Sequence, residues 1–440
     1  MRKGRTDFMV FFTLEDPRAK VQGSRDPLGV QPIWSRFGRD VVCNLTTVSR
    51  AVRGFSVLLV GRYLANTLVE TGKATEDDAI NLFLKFEQVA AYSRQVAAGG
   101  AGDDIILGVN RVKQKLVEGK GGVQISEHPR DQILSDQKAY GLWGLYSVPA
   151  RVSGLLLPGA LGITQLACEF VEAEYLPRLR KQENNLMRLL SKGGSFKATQ
   201  RNQLCKTIVE TLGEKLSANE IEFYGQTLRD ASQCEPEKRL AARRQSLLAG
   251  LIKEKTVRSE AFSYSNVDSL RQHSEESGEG ELAACLTRIL ALEAAIAPAQ
   301  HVFDYVMSHN GESPNSVADS IKDQWGTSLP LVHGDLSEIM LVIRETVGDD
   351  QASCLQHTNE SLAEGDYQNA IKAVIDWNST VMQARGASGW VGNRRGKLVV
   401  KLREQSPNLP ATDDARFSWV NSYFLGSLKD ITFQLEPSNV

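Results

Sequence analysis

A helical apolar period runs through most of this chain and restricts its fold more than any motif does. In TEDDAINLFLKFEQVAAYSRQVAAG (75–99), Ile80, Phe83, Leu84, Phe86, Val89 and Ala90 recur at helical spacing. Such a stripe lies on one side of a helix and has to be covered by other apolar surface. Thr75 can cap the helix, acids occupy its first turn and Gly99 closes it. The run ELAACLTRILALEAAIAPAQHVFDYVMSHNG (281–311) is longer and more apolar, and a kink is expected at Pro298.

The same period predicts helices in 40–72 (two, broken near Gly54), 105–117, 129–146, 198–216, 217–231, 236–255, 315–325, 335–347, 350–364, 366–385 and 417–435. Ser217 and Glu220 have capping-box spacing, and Pro236 suits a first helical turn. Few strands are expected. DFMVFFTL (7–14) has strand composition and is followed by a loop over 15–33. GWVGNRRGKLVVKLRE (389–404) is expected to form a β-hairpin with GNRRG as its loop. The polar stretch 259–280 is expected to be an exposed loop or boundary.

The expected fold class is therefore mainly α, multi-helical, with two or three domains, a winged-helix-like middle region and a small β-hairpin near the C-terminus. The expected domains are an N-terminal helical domain (1–125), a winged-helix-like and basic helical region (126–258), and an acidic helical domain with the hairpin (259–440). The winged-helix expectation rests on short helical pieces, glycine turns and a capped helix near Thr164 in KAYGLWGLYSVPARVSGLLLPGALGITQLACEFVEAEYLP.

A chain of 440 residues with 42% apolar and 24% charged residues can bury substantial cores. The apolar run FSVLLVGRYLANTLV (55–69), a candidate membrane span, is interrupted by Arg62 and Asn66, so no membrane partner and a cytoplasmic location are expected. Six cysteines without CxxC spacing are expected to be reduced core residues, with no zinc site and no cofactor.

The net charge of −2 conceals an asymmetry: residues 1–258 carry 38 Lys/Arg against 28 Asp/Glu, whereas 259–440 carry 13 against 25. Either the basic half meets DNA or another polyanion, or the two halves neutralise each other. The densest cluster spans 178–206, with eight basic residues and one acid. Candidate nucleic-acid contacts are Arg151, Arg178, Arg180, Lys181, Arg188, Lys192, Lys197 and Arg201, with Arg394 and Arg395 of the hairpin as a second patch.

Catalytic motifs are weak. His-Gly-Asp-Leu (333–336) resembles the catalytic loop of small-molecule phosphotransferases of the aminoglycoside and choline kinase type, and Asp376 in AVIDWNS resembles that family's second metal-binding aspartate. The resemblance implies an Asn five residues after Asp335; position 340 is Met, whose thioether is no ligand for Mg²⁺. The chain also has no glycine-rich strand loop and no GxxxxGK[ST]. Asp103, Asp104, Glu118 and Lys120 suggest a metal-dependent nuclease only if strands presented them, and a helix is expected there. His301 and His309 lie near one helix face without a third ligand. SRDPLGVQPIWSRFGRDVVCNLTTVS (24–49) resembles uncharacterised bacterial proteins encoded beside restriction or anti-phage genes. The expected function is a non-enzymatic DNA-associated or scaffolding subunit of a bacterial multiprotein system for anti-phage defence, with protein partners. The alternatives are a metal-dependent nuclease subunit and a protein-interaction module without DNA binding.

Overall fold

The computed structural model describes residues 26–99, 106–159, 162–330, 332, 336–402 and 408–436. The strand expected at 7–14 lies outside them. The protein is mainly helical, with two small antiparallel two-stranded sheets among the described residues. It divides into two compact units. The first comprises the described residues of Met1–Phe37 and Phe262–Ser422, and the second those of Gly38–Ala261 and Tyr423–Val440.

The second unit is built on helix Ala79–Ala97, which is buried on nearly all sides from Leu82 to Gln95. Helices Val52–Glu70, Val109–Glu118, Glu183–Lys192 and Gln203–Leu212 pack around it. Residues 40–51 form no helix, and Val52–Glu70 runs unbroken through Gly54. Gly54 serves packing instead: a Cβ there would lie 2.5 Å from the Tyr146 ring. Gly61, further along the same helix, lets Phe83 and Phe86 approach the helix backbone.

Strand β1 (Gly122–Ile125) pairs with β2 (Gly194–Lys197), with Val123 opposite Phe196 and both buried. The partners are about 70 residues apart. A wing would instead pair neighbouring strands; the described residues of 155–164 contribute one isolated bridge, Leu156 to Ile163, and the winged-helix arrangement is not confirmed. Thr164 does cap helix Gln165–Glu174, accepting from the Ala167 N–H. The helix expected over 129–146 begins later, as Gln137–Tyr140 and Leu142–Val152.

The first unit is built on helix Gly280–Ser308, which continues through Pro298. This segment corrects the membrane reasoning, because it is long and apolar enough to cross a bilayer by length and composition. In this fold, 83% of its apolar window is buried inside the protein. Helices Tyr264–Glu276, Asp349–Glu364 and Tyr367–Ala384 pack against it. The stretch expected as a loop at 259–280 thus contains a helix. Ser263 and Asn266 cap it reciprocally, and Val267 and Leu270 are buried. Part of the loop expected at 15–33 is likewise helical from Val30, where both carboxylate oxygens of Asp26 accept backbone N–H groups, from Val30 and Gln31. The aromatic C-terminal helix is shorter than expected, Tyr423–Gln434, and belongs to the second unit.

The expected hairpin forms from β3 (Val391–Arg394) and β4 (Lys397–Val400). Its loop is two residues, not five. Arg395 (φ 55°) and Gly396 (φ 75°) both adopt positive φ, as a turn matching the strand twist requires.

The six cysteines are free, three buried and three partly buried. Two acids sit at the centres of the units. In the first, Glu293 accepts from Trp34 Nε1 (2.8 Å), Val420 N (2.6 Å) and Asn421 N (2.7 Å). In the second, Glu87 accepts from Leu142 N (2.7 Å) and Gln137 Nε2 (2.8 Å). Burial raises the pKa of both carboxyls, that of Glu87 to about 7.

Candidate nucleic-acid interface

The basic cluster of the second unit begins in the turn Arg180–Gln182 and continues into helix Glu183–Lys192. Leu186, Met187, Leu189 and Leu190 bury one side of that helix. Arg188 and Lys192, four residues apart, fall on the opposite side and are exposed, as are Arg180 and Lys181 in the preceding turn. The chain then turns into β2, where the period changes from 3.6 to 2. Phe196 points inward, while Ser195 and Lys197 are exposed.

Pairing to β1 adds residues that local sequence does not connect with this cluster. Lys197 stands opposite Gly122, two residues after the exposed Lys120, and Ala198 N donates to Gly121 O at 2.7 Å. Helix Val109–Glu118, which packs on β1, brings Arg111, Lys113 and Lys115 to the same part of the unit. Burial, and then the neighbouring Arg111, lowers the Lys115 pKa, with Asp131 and Glu118 opposing. Beyond β2, Asn202 caps helix Gln203–Leu212 by accepting from Leu204 N and Cys205 N. The exposed Arg201 and Lys206 flank that helix start.

The expected site residues therefore separate into groups. Arg180, Lys181, Arg188, Lys192, Lys197 and Arg201 are exposed and form no ion pair among the described residues. Arg178 differs: it donates to the buried Glu174 at 2.5 Å, so its charge is already matched. Arg151 is exposed at the end of helix Leu142–Val152, where its charge adds to burial in lowering the Arg62 pKa to about 10. Its electrostatic neighbour is thus Arg62, outside the cluster. Arg62 stacks 3.8 Å above the Trp143 ring and donates to Ser147 Oγ at 2.8 Å, which fixes it as part of the packing. Arg394 and Arg395 are exposed at the tip of the hairpin in the other unit.

His333, Gly334, Asp335, Asp103 and Asp104 lie outside the described residues. Met340, at the position where the phosphotransferase resemblance requires Asn, is buried in helix Ser337–Val347. Asp376 is exposed on helix Tyr367–Ala384, and Glu118 is exposed and bonded to Gln114 Nε2. His301 bonds Ser418 Oγ at 2.7 Å, and His309 bonds the Tyr305 carbonyl. No group of three or more His, Cys, Asp or Glu that could hold a metal occurs among the described residues.

Comparison with protein-family models, curated proteins and solved structures finds no match.

Proposed function

We propose that the second unit binds the phosphate backbone of DNA through its basic face, as a non-enzymatic scaffolding subunit of a larger bacterial defence assembly. The observation that carries this reading is a run of exposed cations without carboxylate partners among the described residues: Lys181, Arg188, Lys192, Lys197 and Arg201. Lys120 extends it across the β1–β2 pairing. Point charges of this kind bind phosphates by releasing counterions and do not read base sequence.

The test is fluorescence anisotropy of a labelled duplex of about 20 base pairs over a salt series. Five phosphate contacts give a log–log slope of about −4.5, which is about a 500-fold loss of affinity between about 50 and 200 mM salt. Changing Arg188, Lys192 and Lys197 together to Glu removes at least three of those contacts and flattens the slope by about 2.7. No duplex binding at about 50 mM salt, or binding that survives the triple reversal, overturns the proposal. Two duplexes of different sequence should bind alike.

A further inference from the structure

The two edges of the β3–β4 hairpin are treated differently. Along β4, Leu398 N donates to Glu312 O and Leu398 O accepts from Gly311 N, both at 2.8 Å, and Val400 N donates to Asn310 Oδ1. That edge is closed. Along β3, the register alternates between pairs that exchange ladder bonds and pairs that do not. The Lys401 N to Trp390 O bond at 2.8 Å fixes the phase. Val391 and Asn393 are therefore the residues whose N–H and C=O point away from β4. Neither has a hydrogen-bond partner for those groups among the described residues.

This open edge borders a groove of about 600 Å³. Its other wall is one face of helix Tyr367–Ala384, from Gln368 to Ser379, and the start of helix Pro314–Trp325 closes one side. Ile371 and Val391 are buried, Ile375 is half-buried, and Lys372 and Asp376 stand exposed on the rim. A surface edge guarded only against aggregation needs charge and shortness, which the Arg394, Arg395 and Lys397 tip supplies. It does not need a helix-walled groove beside it, with the half-buried Ile375 in the wall. A free strand edge beside a helix-walled groove is the arrangement that accepts an added strand.

We propose that this groove takes an extended acidic peptide of a partner protein, added as a third strand along β3. Backbone bonds to Val391 and Asn393 hold the peptide, and alternate side chains enter toward Ile371 and Ile375. The acidic character follows from charge: Lys372 on the rim and Arg394, Arg395 and Lys397 at the hairpin tip are exposed without ion-pair partners among the described residues, whereas the carboxylates beside the groove are Asp376 and Asp366, the latter already bonded to Asn369 N and Nδ2. At about 3.3 Å per residue, the four-residue strand matches four residues of peptide. The proposal is independent of DNA binding, which it assigns to the other unit.

The test uses the full chain and two capped, fluorescein-labelled hexapeptides, one alternating Val with Glu and one alternating Val with Lys. Saturable anisotropy is expected for the Val/Glu peptide only. Amide exchange of Asn393, the exposed residue of the two, should be fast in the free protein and slowed in the complex. Asn393→Pro deletes one outward donor without touching a β3–β4 ladder bond, and should weaken binding at least tenfold. Lys372→Glu, which leaves the hairpin unaltered, should weaken the Val/Glu peptide and admit the Val/Lys peptide. Absence of Val/Glu binding overturns the proposal. So does an edge already protected in the free protein, or binding that is lost on charge reversal yet indifferent to Asn393→Pro in a folded variant.

Discussion

Glu220→Gln should be among the most damaging single-atom changes available in the second unit. Glu220 pairs with Arg53 through Nη1, with Nη2 at 3.3 Å from its second oxygen, and the two side chains are 1% and 2% exposed. It also accepts from Tyr175 OH at 2.7 Å, and from Ser217 N at 2.8 Å as the return half of a capping box. Gln has the same shape, keeps a carbonyl oxygen and still serves at the third position of a capping box. The substitution therefore isolates the charge. What remains is a buried guanidinium whose other named backbone acceptor is Lys215 O at 2.9 Å, with Arg53 Nε already unbonded. Breaking a buried pair in this way costs about 3–5 kcal/mol. For a unit of this size that corresponds to a fall in Tm of about 6–20 °C. Far-UV circular dichroism and urea unfolding measure it. Arg53→Met combined with Glu220→Gln should recover most of the loss, because no uncompensated charge is left. A single-mutant cost below about 1 kcal/mol, or a double mutant no better than the single, would refute the argument.

Three further outcomes are expected. Glu87, with its pKa raised from 4.5 to about 7, favours the folded state most below pH 4.5 and loses that contribution as pH rises to 7. The loss is about 3 kcal/mol, and urea midpoints at about pH 5 and pH 8 should differ less in Glu87→Gln than in the natural protein. Gly61→Ala places a Cβ 2.7 Å from the Phe86 ring and 2.8 Å from the Phe83 ring, so it should destabilise the second unit by about 1–3 kcal/mol in thermal unfolding. Glu293→Ala removes the acceptor from Trp34 Nε1, Val420 N and Asn421 N and should cost the first unit about 3 kcal/mol or more by urea unfolding, with a red-shifted Trp emission.

The basic cluster shows which parts of a site local sequence carries. The exposed face of Arg188 and Lys192 follows from helical spacing, because Leu186, Met187, Leu189 and Leu190 fix which side is inside. The pairing of Arg178 with Glu174 also has a local signal, four residues apart on a helical segment, which the charge density of the following residues obscures. Lys120 has no such signal, since it joins the cluster only through a pairing of strands about 70 residues apart. Arg151 shows the converse: it is near the cluster in sequence, while its charge acts on Arg62. The free edge of β3 is likewise hidden, because nothing in GWVGNRRGKLVVKLRE reveals that residues 310–312 cover β4 and leave β3 open.

The sequence by itself determined most of the helices, the hairpin and which side of each element is apolar. Those follow from hydrogen bonds and side-chain periods spanning a few residues, together with caps such as Ser217–Glu220. Tertiary structure alone decided that Gly280–Ser308 is the centre of a unit, that Gly54 marks a close contact and not a break, and that the last helix packs with the second unit. It also decided which charges have partners. Helix formation is satisfied within its own segment, whereas burial, strand pairing and charge neutralisation depend on residues that the chain brings together from far apart.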